Sequence, residues 1–441
     1  MIQIAQLFLS LTILITLHEF GHFYFAKKFK TRVEKFYLFF DFLFPFAGLL
    51  NFAIFKKKIG ETEYGLGWFP FGGYVQIAGM VDEQMDKSQT QGEPQPWELR
   101  SKPAWQRLLI MMGGIIVNLI LGVLIYWMLM FFVGRERLYN SDVKNGIVCD
   151  SLALRMGFQN GDKFIALDNV PVKFFNTIPV DMVMNKAKVV TVERNGKEVA
   201  VNIAEDDLGI MLKRMKKSRV FSPRFPCFVD STYGEAKKAG LQKGDQVIRI
   251  NNSEALFFDE VVSTLRENKG KEVDVTVLRN KDTLTRKIAV DTAGRIGFAV
   301  DNDLTKFFKL VEEKYSFFAA LPEGIKEAYE KLVLQVKSIV VIFTVKDAYT
   351  QVGGFYTMAN SLPTEWDWAT FWNFTAFLSV MLAFMNFLPV PMLDGGYIMF
   401  ILFEMIFRTK VPDKVIYYAN YVGLVLILGL MIYANTDFLR N

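Results

Sequence analysis

Four stretches of this chain, at about 4–26, 107–133, 369–389 and 415–434, are apolar for long enough to cross the hydrocarbon core of a bilayer. Lipid offers no water to pair a free N–H or C=O, so such runs are restricted to α-helices that close their hydrogen bonds internally. They also explain a hydrophobic share of 51%, high for a soluble chain. A fifth apolar run, Phe36 to Phe55, holds Asp41, Pro45 and Gly48. Lys27, Lys28, Lys30, Arg32 and Lys35 precede it and Lys56, Lys57 and Lys58 follow. Positive charge on both flanks fits a re-entrant or interfacial segment better than a crossing one.

The same rule places the 27–106 loop in the cytoplasm and the N-terminus outside. Arg408, Lys410 and Lys414 then fall on the cytoplasmic side, and about 135–368 lies outside. The first run reads as a retained span, lacking the basic start and small-residue cleavage site of a signal peptide. Loop lysines and arginines account for the net charge of +5, so no nucleic-acid partner is implied. Cys149 and Cys227 are too few for a disulfide scaffold or a cysteine metal cluster and read as free, buried thiols ahead of a bridge, for which sequence gives no geometry.

The two histidines of the chain stand together inside the first run, as His18-Glu19-x-x-His22. Residues four apart share one helix face, so both imidazoles can reach one metal ion, with Glu19 one step round as a base. Ionisable groups at membrane depth are costly and mark function. A tetrahedral zinc would need a third protein ligand, and without a further histidine or a membrane cysteine it is a carboxylate. Asp41, Asp394 and Glu404 all lie in apolar surroundings. Asp394 stands out, because Asn386-Phe-Leu-Pro389-Val-Pro391-Met-Leu-Asp394-Gly395-Gly396 interrupts a span with two prolines and two glycines. Broken backbone at that depth is tolerated where it is buried or lines a watery cavity.

The outer region contains a repeat. Gly157 to Asn169, with Gly161-Asp162, recurs as Gly240 to Asn252, with Gly244-Asp245; Thr191 to Asn195 is echoed by Thr276 to Asn280. The unit is a mostly-β module of about eighty residues present twice, and its glycine turns and apolar alternation predict strands and hairpins. Its pattern resembles PDZ domains, which take extended peptides by strand addition. Beyond it, Ala320 to Gln335 suits an amphipathic helix, lying on the outer leaflet or packed on protein.

Joined in order, His18-Glu19-x-x-His22 and Asn386-x-x-Pro389-x-x-x-Leu393-Asp394-Gly395 resemble the site-2 protease family of intramembrane zinc proteases, and the paired PDZ-like copies resemble its bacterial RseP-type branch. The resemblance covers nearly the whole chain. It implies Zn2+ held by His18, His22 and Asp394, with Glu19 as catalytic base and Asn386 near the substrate. Gly67-Trp-Phe-Pro-Phe-Gly72-Gly73-Tyr74-Val75 matches the family's membrane-associated β-loop, so Gly72, Gly73 and Tyr74 are expected to hold substrate extended. Gly114 and Asn118 fit a further signature in which Ile115 replaces a proline.

The expected architecture is a polytopic α-helical membrane protein with four spans and two extracytoplasmic PDZ-like domains. The expected segments are a first span 1–27, a membrane-associated loop with a re-entrant β element 28–106, and a second span 107–133. Modules at 135–220 and 221–305 follow, then an amphipathic region 306–367, a third span with the broken segment 368–407 and a fourth span 415–434. The expected partners are the bilayer, single-pass membrane proteins trimmed beforehand (of the anti-sigma-factor or leftover signal-peptide class) and peptide or C-terminal ligands of the modules. The expected location is a bacterial inner membrane, with the active site toward the cytoplasm. A zinc carrier would show repeated halves within the membrane, and a silent PDZ scaffold would lack Glu19 or Asp394; the chain fits neither.

Overall fold

The computed structural model describes residues 1–43, 50–70, 72–80, 92–215 and 218–436. The chain divides into two compact units, one of residues 1–134, 314–339 and 352–441, the other of 135–313 and 340–351.

In the first unit, four helices are long and apolar enough to cross a membrane: Ile2–Lys28, Gly113–Phe132, Trp368–Phe387 and Lys414–Asn435. Lipid gives helices no hydrophobic reason to associate, so close backbone approach and buried polar pairs hold them. Gly21 of the first span meets Gly113 of the second so tightly that a Cβ would lie 2.2 Å from the Gly113 oxygen. Ser10 and Thr375 share a 2.7 Å hydrogen bond between the first and third spans, and Ser379 donates to the Asn118 carbonyl at 2.6 Å. The run expected as continuous over 107–133 is two helices, Ala104–Met111 and Gly113–Phe132. The helix-weakening pair Gly113-Gly114 marks the join, whereas Ile115 sits within regular helix.

Between the first two spans lies a four-stranded sheet ordered β2-β3-β1-β4, with β1 Val33–Leu38, β2 Ala53–Ile59, β3 Thr62–Gly67 and β4 Tyr74–Ile77. The two ends of the Phe36–Phe55 run are therefore strands; residues 44–49 lie outside the described residues. Phe52, Ile54 and Phe55 are exposed there, a set of apolar side chains suited to a lipid interface. The sheet sets β4 at an edge, antiparallel to β1. Ala320 to Gln335 falls in the helix Phe317–Thr344. It packs on the second span, whose Trp127 donates from Nε1 to the Phe317 carbonyl at 2.7 Å.

The second unit contains the repeat as two β modules. The first has a sheet in which Val189–Arg194 pairs with both Lys163–Leu167 and Lys197–Asn202. The second has the matching arrangement of Glu272–Arg279 with Gln246–Ile250 and Asp282–Ala289. One ion pair recurs in each. Arg194 grips Asp162 through two 2.8 Å bonds, and Arg279 grips Asp245 at 2.6 and 2.7 Å. Each arginine also reaches a glycine carbonyl, Gly157 or Gly240. The Gly-Asp pair of the repeat is thus a staple between the glycine turn and a central strand. Asp245 is fully buried and Arg279 is partly exposed, so Asp245→Ala removes two charge-assisted bonds but lets the arginine reach water, and is expected to cost the second module about 1.5–3 kcal/mol. Proteolytic nicking within 227–296 at rising urea measures this, and an unchanged midpoint would refute it.

The modules part company after their last hairpin. The first continues as a helix, Glu205–Met215, whereas the second forms a strand, Phe298–Val300, paired with Val229–Thr232. The boundary expected at 220/221 also shifts. Phe221–Pro223 pairs with Ile147–Cys149 of the first module, and the core of the second begins at Cys227. The first module's core further takes in Phe308, Val341, Val345 and Ala348 from within and beyond the region expected at 306–367. Cys149 and Cys227 are free, and burial pushes each thiol up to about 12. Both are inert at neutral pH.

Candidate active site

His18 and His22 project from one face of the first span, as their spacing requires. Their Nε2 atoms stand 3.2 Å apart, and Asp394 Oδ2 lies 3.2 Å from the first and 3.3 Å from the second. Among the described residues this is the one group of histidine, cysteine and carboxylate side chains arranged to hold a metal. Tetrahedral zinc, with bonds of about 2.0–2.1 Å, sets its ligand atoms roughly 3.3–3.4 Å apart, so the triangle is the right size.

Its chemistry fits as well. His22 Nδ1 donates to the Ile110 carbonyl at 2.8 Å, which leaves Nε2 bare and facing the triangle. The Asn118 amide lies 3.3 Å from His18 Nδ1, and its Oδ1 is buried without a partner. Turning that oxygen toward the ring lets Nδ1–H donate, an amide assignment made on the hydrogen-bond network. His18 Nε2 then also faces inward as a lone pair. Asp394 Oδ2 is buried with no donor. Three acceptor atoms converging without a proton between them need a cation.

Local sequence explains the placement. Ile110 is in the last turn of Ala104–Met111, where carbonyls lack onward helical partners. Gly114 faces both rings: a Cβ there would lie 2.4 Å from His18 Cε1 and 2.6 Å from His22 Nε2. Asp394 opens the helix Asp394–Phe407, a helix start that favours a carboxylate. At Gly395 a Cβ would stand 2.0 Å from the Leu388 oxygen, so the loop folds back where only glycine fits.

The other carboxylates left open by the sequence are engaged elsewhere. Asp41 accepts from Tyr74 Oη at 2.9 Å, and Glu404 pairs with Arg107 at 2.6 Å. Glu19, Asn386, Gly72 and Gly73 border one cavity of about 670 Å3 with His18 and Asp394. Asn386 Nδ2 is 3.4 Å from His18 Nε2. The Tyr74 ring is fully buried and stacked on Tyr37, so what this residue offers a ligand is its backbone. Gly72 and Gly73 also precede the edge strand and form no part of it. Val75 and Ile77 of β4 line a small recess with His18, Glu19, His22 and Asp394. Ile110 left no trace in the sequence as a partner, because its backbone acts. Asn118, a lone amide in an apolar run, carried a signal that it faces inward.

The model of Peptidase family M50 matches residues 6–430. The chain therefore belongs to that family, and it is a site-2-type zinc metalloendopeptidase of the membrane. A Treponema pallidum protein described as a zinc metalloprotease is 27% identical, over 96% of this chain and 95% of its own. The regulator of sigma-E protease RseP of Escherichia coli K12 is 26% identical, over 99% and 98%, and protease RseP of Yersinia pestis is 26% identical over the same shares.

Proposed function

We propose that this protein cuts transmembrane segments of single-pass proteins already trimmed on the outer side, with His18, His22 and Asp394 holding zinc and Glu19 as the base. The observation that carries this is the convergence of the three ligand atoms at the edge of a cavity 670 Å3 in volume, bordered by His18, Glu19 and Asp394 and walled largely by span residues including Leu11, Leu378 and Leu428. When bound, zinc supplies Lewis-acid polarisation of the scissile carbonyl and of water. The Glu19 carboxylate takes the proton of the attacking water and hands it to the leaving amine. A transmembrane helix shields its own peptide bonds, so it must open locally before attack. The edge strand Tyr74–Ile77, beside the ligands, is suited to pair with the opened stretch and replace its lost hydrogen bonds. Asn386 is placed to hold the substrate carbonyl, and Gly72 and Gly73 keep the cavity wall low beside it.

The lysine and arginine flanks support a cytoplasmic placement of this site, in the inner membrane of a bacterium, with the two modules outside. Their repeated glycine turn and Gly-Asp strand support PDZ-like domains that screen what enters. The strands Phe221–Pro223 and Phe298–Val300 are each paired on one side only among the described residues, so strand addition is open to either module. The RseP relatives, named as regulators of sigma-E, make a membrane-anchored anti-sigma factor the favoured substrate class.

Reconstitution with a tagged single-span substrate tests the reading. The trimmed form should be cut and a form keeping its folded outer domain should not, with a chelator stopping cleavage and Zn2+ restoring it. With a peptide bound, hydrogen exchange should slow at 221–223 or 298–300 and not at 205–215. Equal cleavage of both forms would dismiss the screening role, and cleavage that persists in chelator would dismiss the metal centre.

A further inference from the structure

We propose that Asn420, on the fourth span, is a positioning residue for Asp394: it holds the turn that delivers this carboxylate to the two imidazoles. The inference rests on the metal centre described above and adds to it a residue outside the ligand set.

Met392, two residues before Asp394, has φ 78°. Side chains other than glycine rarely adopt this left-handed conformation, and surrounding structure must enforce it. The enforcement comes from Asn420. Its Oδ1 accepts from the Met392 N–H at 3.2 Å, and its Nδ2 donates to Tyr397 Oη at 3.0 Å. One amide thus ties the turn before the ligand to the helix that the ligand opens. Three residues on, Gly423 runs so close to the same turn that a Cβ would stand 2.1 Å from the Pro391 oxygen.

The setting singles the residue out. Val422, Val425, Leu426 and Leu430 of this span are all more than half exposed, whereas Asn420 is 1% exposed. A buried amide in a span is also explained by helix adhesion alone. That explanation gives Met392 no reason to sit at positive φ, and the two accounts separate on this residue.

The test is the zinc affinity of the purified full-length protein, by competition with a chelator, with monodispersity as the check on folding. Asn420→Leu should bind zinc about 10–100-fold more weakly, the usual effect of losing a partner behind a ligand. Adding Met392→Gly to Asn420→Leu should recover most of the loss, because glycine takes a positive φ unaided. Unchanged affinity in Asn420→Leu would overturn the proposal. So would a loss that Met392→Gly leaves as it was, which would make Asn420 a packing residue only. A wild-type protein that binds no zinc would overturn the metal centre itself, and this assignment with it.

Discussion

Glu19→Gln is expected to keep its zinc and to lose cleavage by about 10²–10⁴-fold, the range of a positioned base. Glutamine preserves the size of the side chain on the cavity wall but cannot take a proton. The ligand triangle does not include this residue, so metal content per chain should match the wild type. His22→Ala and Asp394→Ala should behave oppositely and lose the metal first, since each removes one of three atoms only 3.2–3.3 Å apart. Zinc content measured beside cleavage of a trimmed substrate distinguishes the two patterns. A Glu19→Gln protein that cuts at the wild-type rate would remove this residue from the chemistry. One that loses zinc would make it a structural support of the site.

Gly114→Ala is expected to abolish zinc binding while leaving the helix at least as stable. Gly114 is the second residue of Gly113–Phe132, where alanine gains part of the about 0.8–1.0 kcal/mol by which it is favoured over glycine in a helix interior, so backbone propensity works against any loss. The added methyl would lie 2.4–2.6 Å from three atoms of the two rings, and the imidazoles must turn away from Asp394. Gly122→Ala is the control. Its Cβ would meet Val380 Cγ2 at 2.7 Å, on the opposing third span and away from the metal ligands. Zinc content and thermal unfolding should part company at position 114 and stay together at 122. Wild-type zinc content in Gly114→Ala would mean the rings have room to move, and the site would be less rigid than its geometry implies.

The parts of this protein that sequence made legible are those in which side-chain spacing or length does the work. Four helices of spanning length follow from hydrophobic runs, and His18 and His22 meet because four residues nearly complete a helical turn. The Asp162–Arg194 and Asp245–Arg279 pairs were visible as matching positions of the repeat, although not as contacts. What stayed hidden acts through backbone or through distant packing. The Ile110 carbonyl could be any residue's. The motif position of Tyr74 did not show that its ring turns inward to Asp41, because that depends on the sheet that forms around it. The register that puts Val75 and Ile77 beside His18, His22 and Asp394 depends on β1 and β4 pairing across the whole loop. In Phe36 to Phe55 the sequence shows an apolar run between basic flanks but not that its two ends are strands of one sheet, since a short apolar run fits strand and helix alike.

The core that the first module shares with Val341, Val345 and Ala348 has a consequence for biosynthesis. Every apolar residue in or packed against the core of the second module lies between 227 and 300, whereas the first module waits for residues that follow it. Translation proceeds from the N-terminus, so the module made first is the one completed last. Until residue 348 has emerged, it carries an open apolar face while its younger sibling is already closed. That interval is when a chaperone has a surface to hold, and a chain truncated before 341 would keep that surface permanently.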